Sequence, residues 1–223
     1  MARTTARTSR PPLSHERIVS TAVELADDQA LPGLSMRSLA RQLGVEAMSL
    51  YHHVPNKEAL LDAMVDAVFA ELHDPAAGGD WREELRLRSR SGREAMKRHR
   101  WAIGLMDSRS NPGPQTLHHH DAVLGCLRAA GFDLPMVGHA AALLDAHLYG
   151  FVVQEVALPF QDAAELEDLA ETMLAALPEG ELVHFREFAL GHALQPGYSF
   201  GDEFDWGLEL VLDGLAARLE GSR

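Results

Sequence analysis

Between its glycine and proline breakers this chain repeats one spacing: apolar residues recur three and four positions apart, the period of an amphipathic helix. No long segment alternates as a half-buried strand does, so the fold class expected is all-α. Ser14 can N-cap a first helix, with Leu13 and Ile18 placed as a hydrophobic staple and Ile18, Ala22, Leu25 and Ala26 as its apolar stripe. That helix should end before Pro32-Gly33. Ser35 can cap a short second helix with Leu39, Ala40 and Leu43 inward, stopped by Gly44. A third helix is expected over 46–53. Asn56 then caps a fourth, striped by Leu61, Met64, Val65, Val68 and Leu72. Beyond the linker "DPAAGGD", longer helices are expected near 81–100, 114–130, 134–157, 162–176, 181–193 and 202–220. Their separators are "NPGP", "GFD", "LPF", "LPEG" and "PGYSFG". This divides the chain into a flexible basic arm (1–12), a compact domain of four helices (13–73) and a larger helical domain (80–223). With 223 residues, 46% of them hydrophobic, both domains can bury a core.

One stretch breaks the pattern. "GVEAMSLYHHVPNKEALL", Gly44 to Leu61, buries little in its first two turns beyond Val45, Leu50 and Val54. Ala47, Met48, Tyr51 and His52 fall on an outward face between Gly44 and Pro55-Asn56. A short helix with Met and Tyr outward is wasteful against water and sensible against a nucleic-acid groove. Helices two and three around their glycine turn have the proportions of a helix-turn-helix, whose second helix enters the major groove. Lys57 sits in the first turn of helix four, where the macrodipole disfavours a cation and a phosphate would repair the mismatch. Arg37, on the preceding helix, can pair with guanine or clamp a phosphate. The plain alternative for both is an exposed surface cation.

Residues 14–72 resemble the DNA-binding domain of the TetR family of bacterial transcriptional regulators. The resemblance is carried by "IVSTAVELA" and "LSMRSLARQLGVEAMSLYHHVPNKEALLDAM", with the Leu-Gly-Val turn, the Leu-Tyr-x-His motif and the Asn-Lys-x-x-Leu-Leu start of helix four. It implies that Arg37, Ala47, Met48, Ser49, Tyr51, His52, His53 and Lys57 occupy DNA-contacting positions. Tyr51, His53 and Lys57 match the types that grip the backbone. Ala47 and Met48 lack hydrogen-bonding capacity, so base reading from them would be apolar, with Arg37 supplying direction. The resemblance further implies a C-terminal small-molecule pocket, for which Trp101, Met106, Leu117, His147, Phe151 and Gln154 are the candidate lining residues. "RAAGFDL" and "HLYGFVVQEVALP" are similar to the branch typified by the tetracycline repressors. The metal-chelating histidine of those repressors has no counterpart: the chain reads "LMDSRSNPG" there, with Asp107.

A net charge of −13 argues against a polyanionic partner until its distribution is considered. Residues 1–57 carry seven Lys/Arg and five Asp/Glu, whereas residues 111–223 carry four against eighteen. Only the first part tolerates DNA, and the acidic part would help enforce one docking orientation. Arg3, Arg7 and Arg10 either track phosphates or belong to a plain tail. The helix "LPMVGHAAALLDAHLYGFVVQEVA" is apolar nearly all round, and the last helix carries Phe204, Leu208, Val211, Leu212, Leu215 and Leu219 with Gly207 and Gly214 on a neighbouring face. These two helices are expected to pair with their symmetry mates in a four-helix dimer interface, the alternative being a monomer core. A two-fold dimer reads two half-sites of a palindrome.

The remaining features have plainer readings. "LHHHD", His118 to Asp121, invites a metal, but consecutive helical residues point about 100° apart and cannot converge on one ion. "RLRSRSGREAMKRHR" is expected to form a solvated face bridged to acids rather than a second DNA contact. Cys126 reads as a small buried apolar residue in a reducing cytoplasm. The N-terminus lacks the apolar stretch of a secretory signal, though its Arg/Thr content also fits an organelle transit peptide. No apolar run approaches ~18 residues, so no membrane-spanning helix is expected. There is no G-x-S-x-G, P-loop, H-E-x-x-H or Rossmann motif, and no cofactor or metal is expected. The sequence thus reads as a non-enzymatic, cytoplasmic, homodimeric repressor released from a palindromic operator by a small-molecule effector. The rivals are a ligand-independent architectural DNA-binding protein and a metal-dependent hydrolase around His118, Asp121 and His147.

Overall fold

The computed structural model describes residues 12–106, 108–160, 163–176 and 181–221. The arginines of the basic arm, Arg3, Arg7 and Arg10, and Asp107 lie outside the described residues. Among the described residues every regular element is a helix: α1 (His15–Gly33), α2 (Met36–Leu43), α3 (Ala47–Leu50), α4 (Lys57–Phe69), α5 (Trp81–Arg98), α6 (Pro114–Ala129), α7 (Leu134–Ala157), α8 (Ala163–Ala176), α9 (Val183–Phe188) and α10 (Asp202–Gly221). A 3₁₀ turn follows α5 at Arg100–Ala102, and a π-helix continues α9 over Ala189–Ala193. The expected helices over 81–100 and 181–193 are therefore each shorter and end in a different helical form. At the first of these, His99 leaves helical geometry (φ −107°, ψ 59°).

The chain packs as two compact units, the first from residues up to Leu72 with Arg98–His119, the second from His73–Lys97 with the residues from His120 onward. The Pro/Gly linker therefore separates α4 from α5 in sequence, but compactness also draws residues 98–119 to the first unit.

In the first unit, local capping sets the helix starts. Ser14 Oγ accepts from Arg17 N, Ser35 and Ser38 form a reciprocal capping box, and Asn56 Oδ1 accepts from Ala59 N. Each such cap contributes about 1 kcal/mol. α1 buries Ile18, Val19, Ala22, Leu25 and Ala26 against α2 and α4, which bury Leu39, Leu43, Leu60, Met64 and Val68 among others. The regular part of α1 is interrupted at Ala30 (φ 56°, ψ 173°), two residues before Pro32. That backbone region is nearly exclusive to glycine and costs about 1–3 kcal/mol. Residues 98–119 fasten to this unit through buried and half-buried polar contacts. His99 Nδ1 meets Asp27 at 2.8 Å and its Nε2 meets Glu71 at 3.1 Å, while the Trp101 indole donates to Asp27 at 2.7 Å. Arg109 binds Asp62 and Glu58 of α4, and Asp66 accepts from Thr116 N and Oγ1.

In the second unit α7 and α10 pack together. α7 buries one stripe, Val137, Ala140, Leu144, Leu148 and Val152, and α10 buries Phe204, Leu208, Leu212 and Leu215. The sequence pattern suggested burial of α7 on several sides. Within the single chain, Leu134, Leu143 and Val153 stand exposed on it, as do Trp206 and Leu210 on α10. The two α10 glycines differ. A Cβ on Gly207 would come within 2.7 Å of the His147 ring, whose Nε2 lies 3.0 Å from Phe204 O, so α7 uses that close approach within the chain. A Cβ on Gly214 would meet nothing within 4 Å.

The basic strip of α5 is bridged to acids as expected, but it is not a solvated face throughout, since Arg88 is buried. Arg82, Arg86 and Arg90, four apart, meet Asp213, Glu209 and Asp205 of α10 in antiparallel order. Arg88, fully buried, reaches Asp145 of α7, and Arg93 and Lys97 share Glu155. Burial pushes the Glu155 carboxyl up, but hydrogen bonds from Arg93 and Lys97 outweigh it and hold the group below its ordinary range. α7 is, against the sequence expectation, long and apolar enough by length and composition to cross a membrane. By length and composition alone that is weak evidence for a membrane span, and α7 packs on α10 and forms ion pairs at Asp145 and Glu155. Cys126 is buried, and burial raises its thiol to about 11.

Candidate nucleic-acid interface

The turn after α2 depends on Gly44, which adopts left-handed geometry (φ 65°, ψ 43°) while its N–H reaches Arg41 O and Val45 N bonds Ala40 O. A Cβ there is strained, so glycine is the residue that lets the chain reverse in so few residues. α3 is a single turn rather than the two expected. After Leu50 the backbone tightens, with His53 N and Val54 N both donating to Leu50 O, and Tyr51, His52 and His53 lie in this turn outside the α-helix. Pro55 has no N–H with which to continue a helix.

Leu50 and Val54 are sunk into the first unit, 0% and 1% exposed, and pin the turn from below. Met48 is 72% exposed and Tyr51 42% exposed. His52 and His53 are exposed and Ala47 and Ser49 half-buried, so the sequence-selected face of α3 is presented outward. Arg37 is exposed on α2. Lys57 is exposed too, but its Nζ donates to Leu34 O at 2.9 Å. A carbonyl thus already relieves part of the mismatch at the start of α4, and the same bond ties α4 to the α1–α2 connection. An ammonium carries three donors, so this bond orients the group and leaves others outward.

Sequence reasoning missed the grip on α4. Glu58, Asp62 and Asp66 recur every four residues, one acidic stripe along the helix, and residues 98–119 bind that stripe through Arg109 and Thr116. The signal was the spacing of the acids; nothing local names their partners.

The six pocket candidates are placed differently. In the first unit, Trp101 and Met106 are buried core and Leu117 is exposed. In the second, His147 stacks on Phe204 at 5.0 Å, Phe151 on Phe200 at 4.9 Å, and Gln154 is exposed with its amide directed to Gly150 O. His119 is buried against the Phe69 ring at 5.6 Å, whereas His118 is exposed. Among the described residues no group of three His, Cys, Asp or Glu is placed to hold a metal ion.

Comparison with known proteins agrees with this architecture. Residues 18–64 match the family model of bacterial regulatory proteins of the tetR family, and residues 74–219 match that of the tetracyclin repressor-like C-terminal domain. The chain is 35% identical over 218 residues to the HTH-type transcriptional repressor DrrR1 of Streptomyces coeruleorubidus, covering 94% of this chain and 79% of that one. It is 32% identical over 210 residues to the tetracycline repressor protein class A from transposon 1721 of Escherichia coli, covering 92% of each. Among solved structures it resembles the TetR family protein ActR of Streptomyces coelicolor in complex with actinorhodin, with 28% identity, a TM-score of 0.76 and coverage of 92% of this chain and 96% of that one. Matched in both halves, and carrying an outward-facing turn on a helix-turn-helix scaffold, the chain belongs to the TetR family of bacterial transcriptional regulators and is a DNA-binding regulator.

Proposed function

We propose that this protein is a homodimeric, cytoplasmic repressor that binds a palindromic operator and leaves it when a small-molecule effector binds. The observation that carries the reading is the exposure of Met48 and Tyr51 on a turn whose backbone is held by Gly44, Leu50 and the Asn56 cap. Apolar side chains that a rigid scaffold holds in water find their cover in the major groove. In this reading residues 13–73 are the DNA-binding domain and 80–223 the effector-binding and dimerisation domain. Tyr51, His53 and Lys57 hold backbone phosphates, Arg37 supplies a directional contact, and Ala47, Met48, Ser49 and His52 face base edges.

The groove lined by Met136, His139 and Leu143 of α7 with Leu210, Gly214 and Arg218 of α10 is the face offered to the second copy. Leu210→Asp should shift the protein to monomers in sedimentation; an unchanged dimer would move the interface elsewhere. Effector release is population shift: the effector favours an arrangement of the two DNA heads that no longer fits the operator, and operator and effector weaken each other equally. The solved ActR complex with actinorhodin supports a small-molecule effector. Trp101, Met106, Leu117, His147, Phe151 and Gln154 are the positions to substitute while following release. Within the first unit, the hold of residues 98–119 on α4 gives any displacement of that segment a route to Lys57 and the recognition turn.

The test is selection of random duplex DNA on the purified protein at two salt concentrations. A palindromic site bound tightly, with affinity falling steeply as salt rises, is expected. Active dimeric protein that enriches no sequence would overturn the repressor reading.

A further inference from the structure

Met48 is the most exposed large apolar side chain among the described residues of the first unit, ahead of Leu117 and Tyr51. The fold keeps it there. Leu50 and Val54 are sunk beneath it, while Ser49 N donates to Glu46 O at 2.9 Å and Tyr51 N to Met48 O at 3.3 Å. Its neighbours on α3 offer a base little else: Ala47 has no polar side-chain atom, and Ser49 is half-buried. Met48 itself brings a thioether, which has no donor and is a weak acceptor. The recognition element therefore opens with an apolar probe.

In the major groove a base pair presents hydrogen-bonding atoms and one kind of apolar group, the C5 methyl of thymine. A thioether laid over guanine O6 and N7, or over the amino group of cytosine or adenine, displaces water from polar atoms and returns no hydrogen bond, so affinity falls. Laid over a methyl group it buries apolar surface on both partners, and its unbranched, polarisable chain adapts to where that methyl stands. We propose that Met48 is a specificity-determining residue that packs on the C5 methyl group of a pyrimidine in the operator, so that binding depends on that methyl. The inference rests on the recognition face assigned above and names what that face reads. Thymine and 5-methylcytosine carry the same group at the same ring position, and either can supply it. Tyr51, His53 and Lys57, directed to phosphates, contribute affinity that is indifferent to the methyl.

The test uses the full-length protein and the duplex it selects from random DNA. Each thymidine of the selected site is replaced in turn by deoxyuridine, which removes the methyl and keeps every hydrogen-bonding atom. At one position per half-site affinity should fall about fourfold, and about fifteenfold when both half-sites are changed, the effect of one and two lost methyl contacts. Met48→Ala should bind the thymine and uracil duplexes equally, and Met48→Leu should restore the preference. Comparing the proteins also cancels any effect of uracil on the duplex itself. A second pair of duplexes carries cytosine or 5-methylcytosine at the same position. A gain with 5-methylcytosine makes the methyl alone the feature read, and a gain confined to thymine makes thymine its source. Because the primary readout is on the unsubstituted chain, a poorly folded variant does not protect the idea. A selected site indifferent to every thymine-to-uracil change, or a preference that persists in Met48→Ala, would overturn this inference and leave the operator reading standing. Failure to select any site from active dimeric protein would overturn the two together.

Discussion

The recognition turn and the α5–α7–α10 assembly are stabilised by opposite means. In the first, the caps Ser35 and Asn56, the left-handed Gly44 and the anchor Leu50 all act within a few residues of where they stand. In the second, α5 is held to α10 by ion pairs whose members lie 115 to 131 residues apart. The contrast suits the two tasks. On the proposed reading, a surface that meets DNA needs fixed geometry with its side chains turned outward, and local backbone hydrogen bonds provide that geometry. A body that must hold long helices in register spends its charged side chains on one another.

The comparison can be broken from either side. Arg88 is buried against Asp145. Arg88→Ala empties a buried site and strips half-buried Asp145 of its partner, and should destabilise the protein by about 2–4 kcal/mol in chemical denaturation, whereas Arg88→Met with Asp145→Leu should recover most of that loss. A single substitution as damaging as predicted but not rescued by the apolar pair would show that the ion pair itself, not filled volume, sets the seam. On the other side, Leu50→Ala should cost about 2–5 kcal/mol and release the turn, since a fully buried leucine leaves a cavity behind. If operator affinity survived that loss, α3 would not need its anchor.

Tyr51→Ala sharpens the contrast. The side chain is 42% exposed, so the melting temperature should change little while operator affinity drops by about 1–3 kcal/mol in a binding titration. Arg37→Ala should weaken binding and relax sequence preference; uniform loss across sequences would make it a phosphate contact. The smallest effect is expected from acid. Hydrogen bonds from Arg86, outweighing burial, lower the Glu209 carboxyl, and Glu155 is lowered as well. Groups with depressed folded values contribute stability that is complete above their unfolded value, near 4.5, and is lost as pH falls through the folded one. Thermal melts should therefore decline only below about pH 4.5. The exposed rungs contribute about 0.2–1 kcal/mol each. A decline starting near neutrality would point to groups other than these carboxylates.

How legible each part was follows the same division. Ser14, Ser35, Gly44 and Asn56 are capping and turn residues, and the chain obeys them where it stands. The reading of 46–53 as one helix failed at Tyr51, because periodicity does not register that Leu50 O would take two donors and tighten the turn. The outward Met48 and Tyr51 were legible because an apolar residue off the buried stripe is conspicuous. Lys57 was recognised as misplaced against the dipole, but its bond to Leu34 O, twenty-three residues away, was not.

By itself, then, the sequence determined most of the helices, their caps, the Gly44 turn and the family, because hydrogen bonds between near neighbours and a 3.6-residue period are written into adjacent residues. Tertiary structure alone decided which acid each arginine of α5 meets, that His147 closes on Gly207 and not Gly214, and that residues 98–119 return to grip α1 and α4. Those outcomes depend on which helix faces come into register. Many carboxylates and glycines along this chain are chemically equivalent, and only packing distinguishes among them.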